Sequence, residues 1–278
     1  MELAQDIDRS ADPTDAREAS QGSGAVSSLL TGDALVGEGK GLDALPIPVS
    51  TPGFDSAPTL TATNVITRDP DTGYLNVGTY RMMLQGKKEA GLYLSPGKDA
   101  RLHITRSWQM GKPVEVAAAW GIDPLFMVVG SQTFPKNVSE YEFLGGIKGE
   151  PIPVVKGQTT DLLLPANAEF MIEGIIKPNS IKSEGPFGEF PGYYGRPEAG
   201  CPLVEITAVH YRDNPILTNA LMADYPSNEQ SGFFAIIRSA RIWDDLDKLG
   251  VPGIQGVYAH PAGAGGFGMT AISLEQRY

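Results

Sequence analysis

The chain has 278 residues, 41% of them apolar, which supports one large or two modest folded domains and excludes a disordered protein. Its 33 acidic against 22 basic side chains leave a formal charge of -11, which repels nucleic acids and anionic membranes, so any phosphate site has to be local and built. The single Cys201 excludes an internal disulfide and a thiolate-rich metal site and fits a reducing compartment.

Residues 1–41 are rich in Ala, Asp, Ser and Gly, with little periodicity and no hydrophobic signal segment, which predicts a flexible or partial N-terminal segment of a cytoplasmic protein. From Leu42 a proline-punctuated arm, LDALPIPVSTPGFDSAPTL, feeds strand-like runs at 59–67, 74–84 and 90–94, separated by DPDTG and GKKE turns. Residues 99–110 read as a helix stopped by Gly111 and Pro113, 113–120 as a strand, and 124–129 as a short helix or strand. Strands are expected at 152–155, 169–176, 204–211 and 216–221, and so many short strands predict a barrel-like β domain. Phe233, Ile236, Ile237, Ala240, Trp243, Leu246 and Leu249 recur at helical spacing and stop at Gly250 and Pro252. Two strands, at 256–260 and 268–273, then open an α/β unit. The most apolar stretch, 114–130, is interrupted by Glu115, Gly121, Asp123 and Pro124 and falls short of the roughly 20 apolar residues of a membrane span.

Three clusters carry chemistry. Ser183-Glu184-Gly185-Pro186-Phe187-Gly188-Glu189-Phe190-Pro191-Gly192-Tyr193-Tyr194-Gly195 places two carboxylates on one Gly/Pro-rich turn backed by aromatics, where apolar walls can poise an acid between protonation states. Asn76-Val77-Gly78-Thr79-Tyr80-Arg81 offers a neutral oxygen ligand and a planar cationic fork. On a regular strand Asn76 and Arg81 point to opposite faces, so their cooperation demands a bulge or turn. Val138-Ser139-Glu140-Tyr141-Glu142-Phe143 supplies two more carboxylates, which share one face if the segment is a strand.

Together these segments resemble the UbiD-type decarboxylases, enzymes that use prenylated FMN; EGPFGE followed by GYY, the N-x4-R pair, the S-E-Y segment and PANAEFMIEG at 165–174 carry the resemblance, which runs from about Leu42 onward. It implies an α+β fold: a split β-barrel flavin-binding domain with flanking helices over 42–228, then, over 229–278, a connecting helix and the first strands of an incomplete C-terminal α/β domain. It implies reversible, non-oxidative decarboxylation of a small aromatic or α,β-unsaturated acid. Arg81 would hold the carboxylate, Glu184 would orient Arg81, and Glu189, the farther and drier glutamate, would donate the proton. Asn76, Thr79, Arg81, Lys98, Ser131 and Glu140 would line the cofactor. Asn76, Asp99 and Glu140 would bind Mn²⁺ or Mg²⁺, with K⁺ nearby at Ser131, and Glu142 competes with Glu140 locally. Family members often carry histidine where this chain has Asp99, which either takes over as ligand or caps the helix beginning there. A flavin prenyltransferase would supply the cofactor, and a complementary C-terminal subunit or a second copy would complete the assembly. The alternative is a flavin- or metal-binding subunit without independent turnover.

Overall fold

The computed structural model describes residues 28–31, 35, 41–135, 138–189, 192–194, 197–221 and 228–276. Most of the expected N-terminal segment, Phe190, Pro191 and Gly195 of the glutamate loop, and Tyr278 lie outside these. The chain divides into two compact units, one of residues 1–48, 57–184 and 198–219, the other of 49–56, 185–197 and 220–278.

In the first unit the strands are β1 (Ser28–Thr31), β2 (Thr59–Leu60), β3 (Asn64–Arg68), β4 (Leu75–Thr79), β5 (Met82–Gly86), β6 (Glu89–Leu92), β7 (Val114–Trp120), β8 (Val154–Lys156), β9 (Leu163–Pro165), β10 (Phe170–Ile176), β11 (Ile181–Glu184) and β12 (Ala199–Tyr211). Helices α1 (Asp99–Gln109), α2 (Leu125–Val129) and α3 (Glu140–Lys148) interrupt them. One antiparallel sheet runs β2-β5-β6-β12-β10-β7-β3-β4, with β1 and β11 also pairing with β12; among the described residues its ends β2 and β4 do not meet, so the sheet is open. The fold is therefore mixed and sheet-rich with flanking helices.

Both faces of this sheet are covered, which explains why its central strands read as unbroken apolar text. On β7, Val116, Ala118 and Trp120 enter one core with Leu60, Met82, Leu92 and Ile104 of α1. Ala117 and Ala119 enter the other, with Phe126 of α2, Leu144 of α3 and Met171 of β10. Trp120 and Phe170, paired across β7 and β10, stack with centroids 5.5 Å apart.

Several expected elements are redrawn. The S-E-Y segment is the start of helix α3, not a strand: Ser139 and Glu142 form a reciprocal capping box at its N-terminus. Residues 216–221 form no strand. The Ile216 N–H donates to Glu169 (3.1 Å) and Asn219 meets Thr59 and Thr61, so side chains rather than a ladder hold this stretch.

A buried carboxylate pins the β8–β9 turn. Glu173 of β10 is fully buried and accepts from the backbone N–H groups of Gln158, Thr159 and Thr160, from both threonine hydroxyls, and contacts His210 Nε2 at 2.6 Å. Burial pushes its pKa up, but His210, Thr160 and the backbone donors outweigh that and hold it down to about 2. Gly157 opens the turn because a Cβ there would sit 2.5 Å from Glu173 Oε2.

The second unit holds α4 (Asn228–Lys248) and the antiparallel hairpin of β13 (Ile254–Ala259) and β14 (Thr270–Leu274). Helix α4 packs on β13, and the hairpin exposes Tyr258, Ile272 and Leu274. No helix among the described residues is long and apolar enough to cross a membrane.

Candidate active site

Strand β4 ends at Thr79 and β5 begins at Met82, so Tyr80 and Arg81 lie between strands and the alternation that would set Arg81 opposite Asn76 does not apply. The Arg81 backbone is held by the Tyr93 N–H, which donates to its carbonyl at 3.1 Å. Its guanidinium packs over the Tyr93 ring, 4.1 Å from the centroid. Nε and Nη2 donate to the two oxygens of Glu184 at 2.7 and 3.1 Å, a two-pronged ion pair whose carboxylate side chain is wholly buried. Glu184 ends β11, registered on Ala199 of β12, and Gln85 steadies the strand by donating to the Ser183 carbonyl at 2.6 Å. A guanidinium fixed on one edge and one face is a preorganised receptor for a planar anion.

Beyond Glu184 the chain passes into the second unit. There Glu189 forms a tight turn, its N–H donating to the Tyr193 carbonyl (2.8 Å) and its carbonyl accepting from Gly192 (2.9 Å). Glu189 is half-buried whereas Glu184 is 1% exposed, so the expectation that the farther glutamate is the drier is reversed. Burial of Glu184 is sustained by its pairing with Arg81.

The remaining expected ligands gather around β4, against which α1 and α3 both pack. Asn76 is buried, and its Nδ2 has no hydrogen-bond partner. Glu140, the first residue of α3, accepts from the Val77 N–H at 2.7 Å. Burial raises its pKa to about 7, and Asp99 adds to the rise. No basic side chain among the described residues pairs with it. Asp99 is the first helical residue of α1 and Lys98 is the N-cap residue, so Asp99 is not the cap, and Lys98 makes no side-chain cap hydrogen bond. Glu142 is engaged in the capping box, which removes it as a rival to Glu140. Thr79 donates its N–H to the Gly130 carbonyl (2.8 Å) and its hydroxyl to Asn64 (3.4 Å). The Ser131 hydroxyl donates to Val128 at 2.8 Å and accepts from Gln132.

Among the described residues no three His, Cys, Asp or Glu side chains form a metal cluster. Glu140, a buried carboxylate with no basic partner among the described residues, and the amide oxygen of buried Asn76 nevertheless offer the hard oxygen donors that a divalent ion takes. Close packing here depends on Gly130: a Cβ would lie 2.9 Å from Asn64 Oδ1, Val77 O and Phe126 O. Gly130→Ala should therefore lower stability by about 1–3 kcal/mol, read as an earlier urea midpoint.

Two contributors escaped sequence reasoning. Tyr93 carried no motif, and Asp55, buried in the proline-rich arm, finds its partners 133 and 139 residues away at Gly188 and Tyr194.

Residues 31–225 match the family model described as UbiD, 3-octaprenyl-4-hydroxybenzoate carboxy-lyase Rift-related domain. The phenolic acid decarboxylase of Bacillus subtilis is 37% identical over 215 residues, 76% of this chain and 44% of its own length. An evolved dimeric form of the UbiD-class enzyme HmfF from Pelotomaculum thermopropionicum, solved with prFMN, superposes with a TM-score of 0.83 at 32% identity, covering 92% of this chain and 57% of HmfF. The vanillic acid decarboxylase ShVdcCD of Sedimentibacter hydroxybenzoicus in its closed form gives 0.76 at 29% identity, over 91% and 52%. The chain thus spans only about half the length of the relatives it matches.

Proposed function

The chain belongs to the UbiD family, and on that premise we propose that it carries the catalytic centre of a prenylated-FMN-dependent decarboxylase, acting reversibly and without net oxidation on an aromatic or α,β-unsaturated acid. The supporting observation is the Arg81–Glu184 fork, stacked on Tyr93 and running directly into the loop that bears Glu189. Arg81 receives the substrate carboxylate in the orientation that Glu184 and Tyr93 impose. When the bond to the carboxylate carbon breaks and CO2 departs, Glu189 supplies the proton to the ring or alkene carbon and is reprotonated from water. Prenylated FMN, when bound, supplies the electron sink for that cleavage. Asn76, Asp99 and Glu140 would hold Mn²⁺ or Mg²⁺, which neutralises the cofactor phosphate in an acidic protein, while Thr79 and Lys98 would meet the phosphate and Ser131 a K⁺ ion. In this reading the open sheet is a split flavin-binding barrel, and the β13–β14 hairpin begins an α/β domain.

A second reading rests on the apolar side chains exposed on the β13–β14 hairpin: a cofactor-binding subunit that turns over only with a complementary C-terminal subunit or a second copy. Exposed Tyr258, Ile272 and Leu274 favour such a partner. One experiment separates the two. The chain is produced with a flavin prenyltransferase, its flavin spectrum and bound manganese are measured, and CO2 release is screened over a panel of phenolic, cinnamic and heteroaromatic acids. Release by the chain alone supports the first reading, and loaded but silent protein the second. Failure to bind flavin or metal sinks both.

A further inference from the structure

Asp55 is 8% exposed, yet no basic side chain among the described residues pairs with it. Its arm folds back on itself, the N–H groups of Phe54 and Asp55 both donating to the Thr51 carbonyl at 3.1 and 2.9 Å. Within this unit the carboxylate accepts three hydrogen bonds. Oδ2 accepts from the Thr51 N–H at 2.8 Å, and Oδ1 accepts from the Gly188 N–H at 3.1 Å and the Tyr194 hydroxyl at 2.8 Å. Gly188 immediately precedes Glu189, and Tyr194 immediately follows Tyr193, whose carbonyl closes the Glu189 turn. One buried anion therefore grips the loop on both sides of the glutamate. The Ser56 N–H adds a bond to the Pro186 carbonyl at 3.2 Å, and the Phe54 ring packs on Tyr194 with centroids 5.9 Å apart.

We propose that Asp55 is a positioning residue for Glu189, setting the place and direction of its carboxyl group by holding the entry and exit of the loop. The inference rests on the reading of Glu189 as the proton donor. A carboxylate is required because three donors converge on it. An amide in its place can serve Gly188 and Tyr194 through its oxygen only by turning an N–H toward the Thr51 N–H. No proton is exchanged with substrate by Asp55 itself.

The test uses the full chain loaded with prenylated FMN and reads two quantities: amide hydrogen exchange over residues 186–194, and CO2 release at saturating aromatic acid. In Asp55→Ala, exchange at Gly188 and its neighbours should accelerate about 10-fold or more, and kcat should fall about 10- to 100-fold with KM little changed, because the donor is displaced while the carboxylate receptor is intact. Asp55→Asn, which keeps an oxygen for Gly188 and Tyr194 but sets an N–H against the Thr51 N–H, should fall between Asp55→Ala and wild type in both exchange and kcat, and Tyr194→Phe should produce a smaller change in the same direction. If Asp55→Ala does not fold, the latter two variants carry the comparison. Unchanged exchange in these variants, or faster exchange with undiminished kcat where Glu189→Gln abolishes turnover, overturns the proposal. Undiminished turnover in Glu189→Gln removes the assignment of the acid instead, and a chain without measurable turnover leaves the exchange rates to decide whether Asp55 holds the loop.

Discussion

Glu184→Gln lowers CO2 release by about 100-fold or more while flavin binding persists. The wild-type carboxylate presents two acceptors to two guanidinium donors at 2.7 and 3.1 Å. An amide offers one acceptor and sets an N–H against the other donor, so the guanidinium loses an anionic partner and the geometry that keeps it over Tyr93. The damage belongs to the orientation of Arg81 and should be non-additive with Arg81→Met, the double variant being little worse than either single one. Glu184→Ala adds a stability loss of about 3–5 kcal/mol, because a largely buried cation is stranded. Steady-state kinetics on the four proteins of this cycle measure the first effect, and urea melts of Glu184→Ala against wild type the second. Wild-type rates in Glu184→Gln would separate the ion pair from catalysis altogether.

Glu173→Ala has the largest expected effect on folding. It strands the N–H groups of Gln158, Thr159 and Thr160, together with two hydroxyls and His210, inside a packed region, at about 3–5 kcal/mol. The wild-type protein should show the same dependence through pH. The folded-state pKa, held down to about 2 from the ordinary 4.5, lies below the unfolded one, so this stabilisation is complete above about 4.5 and drains away as pH falls through about 2. Urea midpoints measured between those limits should decline more steeply for wild type than for Glu173→Gln. Parallel curves would place the buried carboxylate outside the acid transition.

How legible this was in the sequence depended on the range of the forces involved. Helix α1 was visible because apolar spacing and Gly111 act within a few residues, and it ends at Gln109, one residue short of the expected 110. The segment at 139–148 was misread although its S-x-x-E signature is local: the pattern of a capping box was present, and taking the two glutamates as strand neighbours obscured it. Arg81 and Glu184 could be nominated by type and motif, but their bond spans 103 residues, and only the pairing of β11 with β12 brings it about. Asp55 and Tyr93 left no trace, since an aspartate in a Pro/Gly turn and a tyrosine at a strand end are ordinary there. The relative dryness of the two glutamates could not be read either, because solvent exclusion is decided by distant chain.

Strand β12 meets β1, β10, β6 and β11 along its 13 residues. A proteolytic nick or an inserted amino acid within it would break the alignment of Glu184 on Ala199 as well as that of the central sheet. The hairpin of β13 and β14, whose strands among the described residues pair only with each other, could absorb the same insertion locally. A short insertion at residues 264–268 should therefore leave the central sheet assembled, while one inside β12 should not.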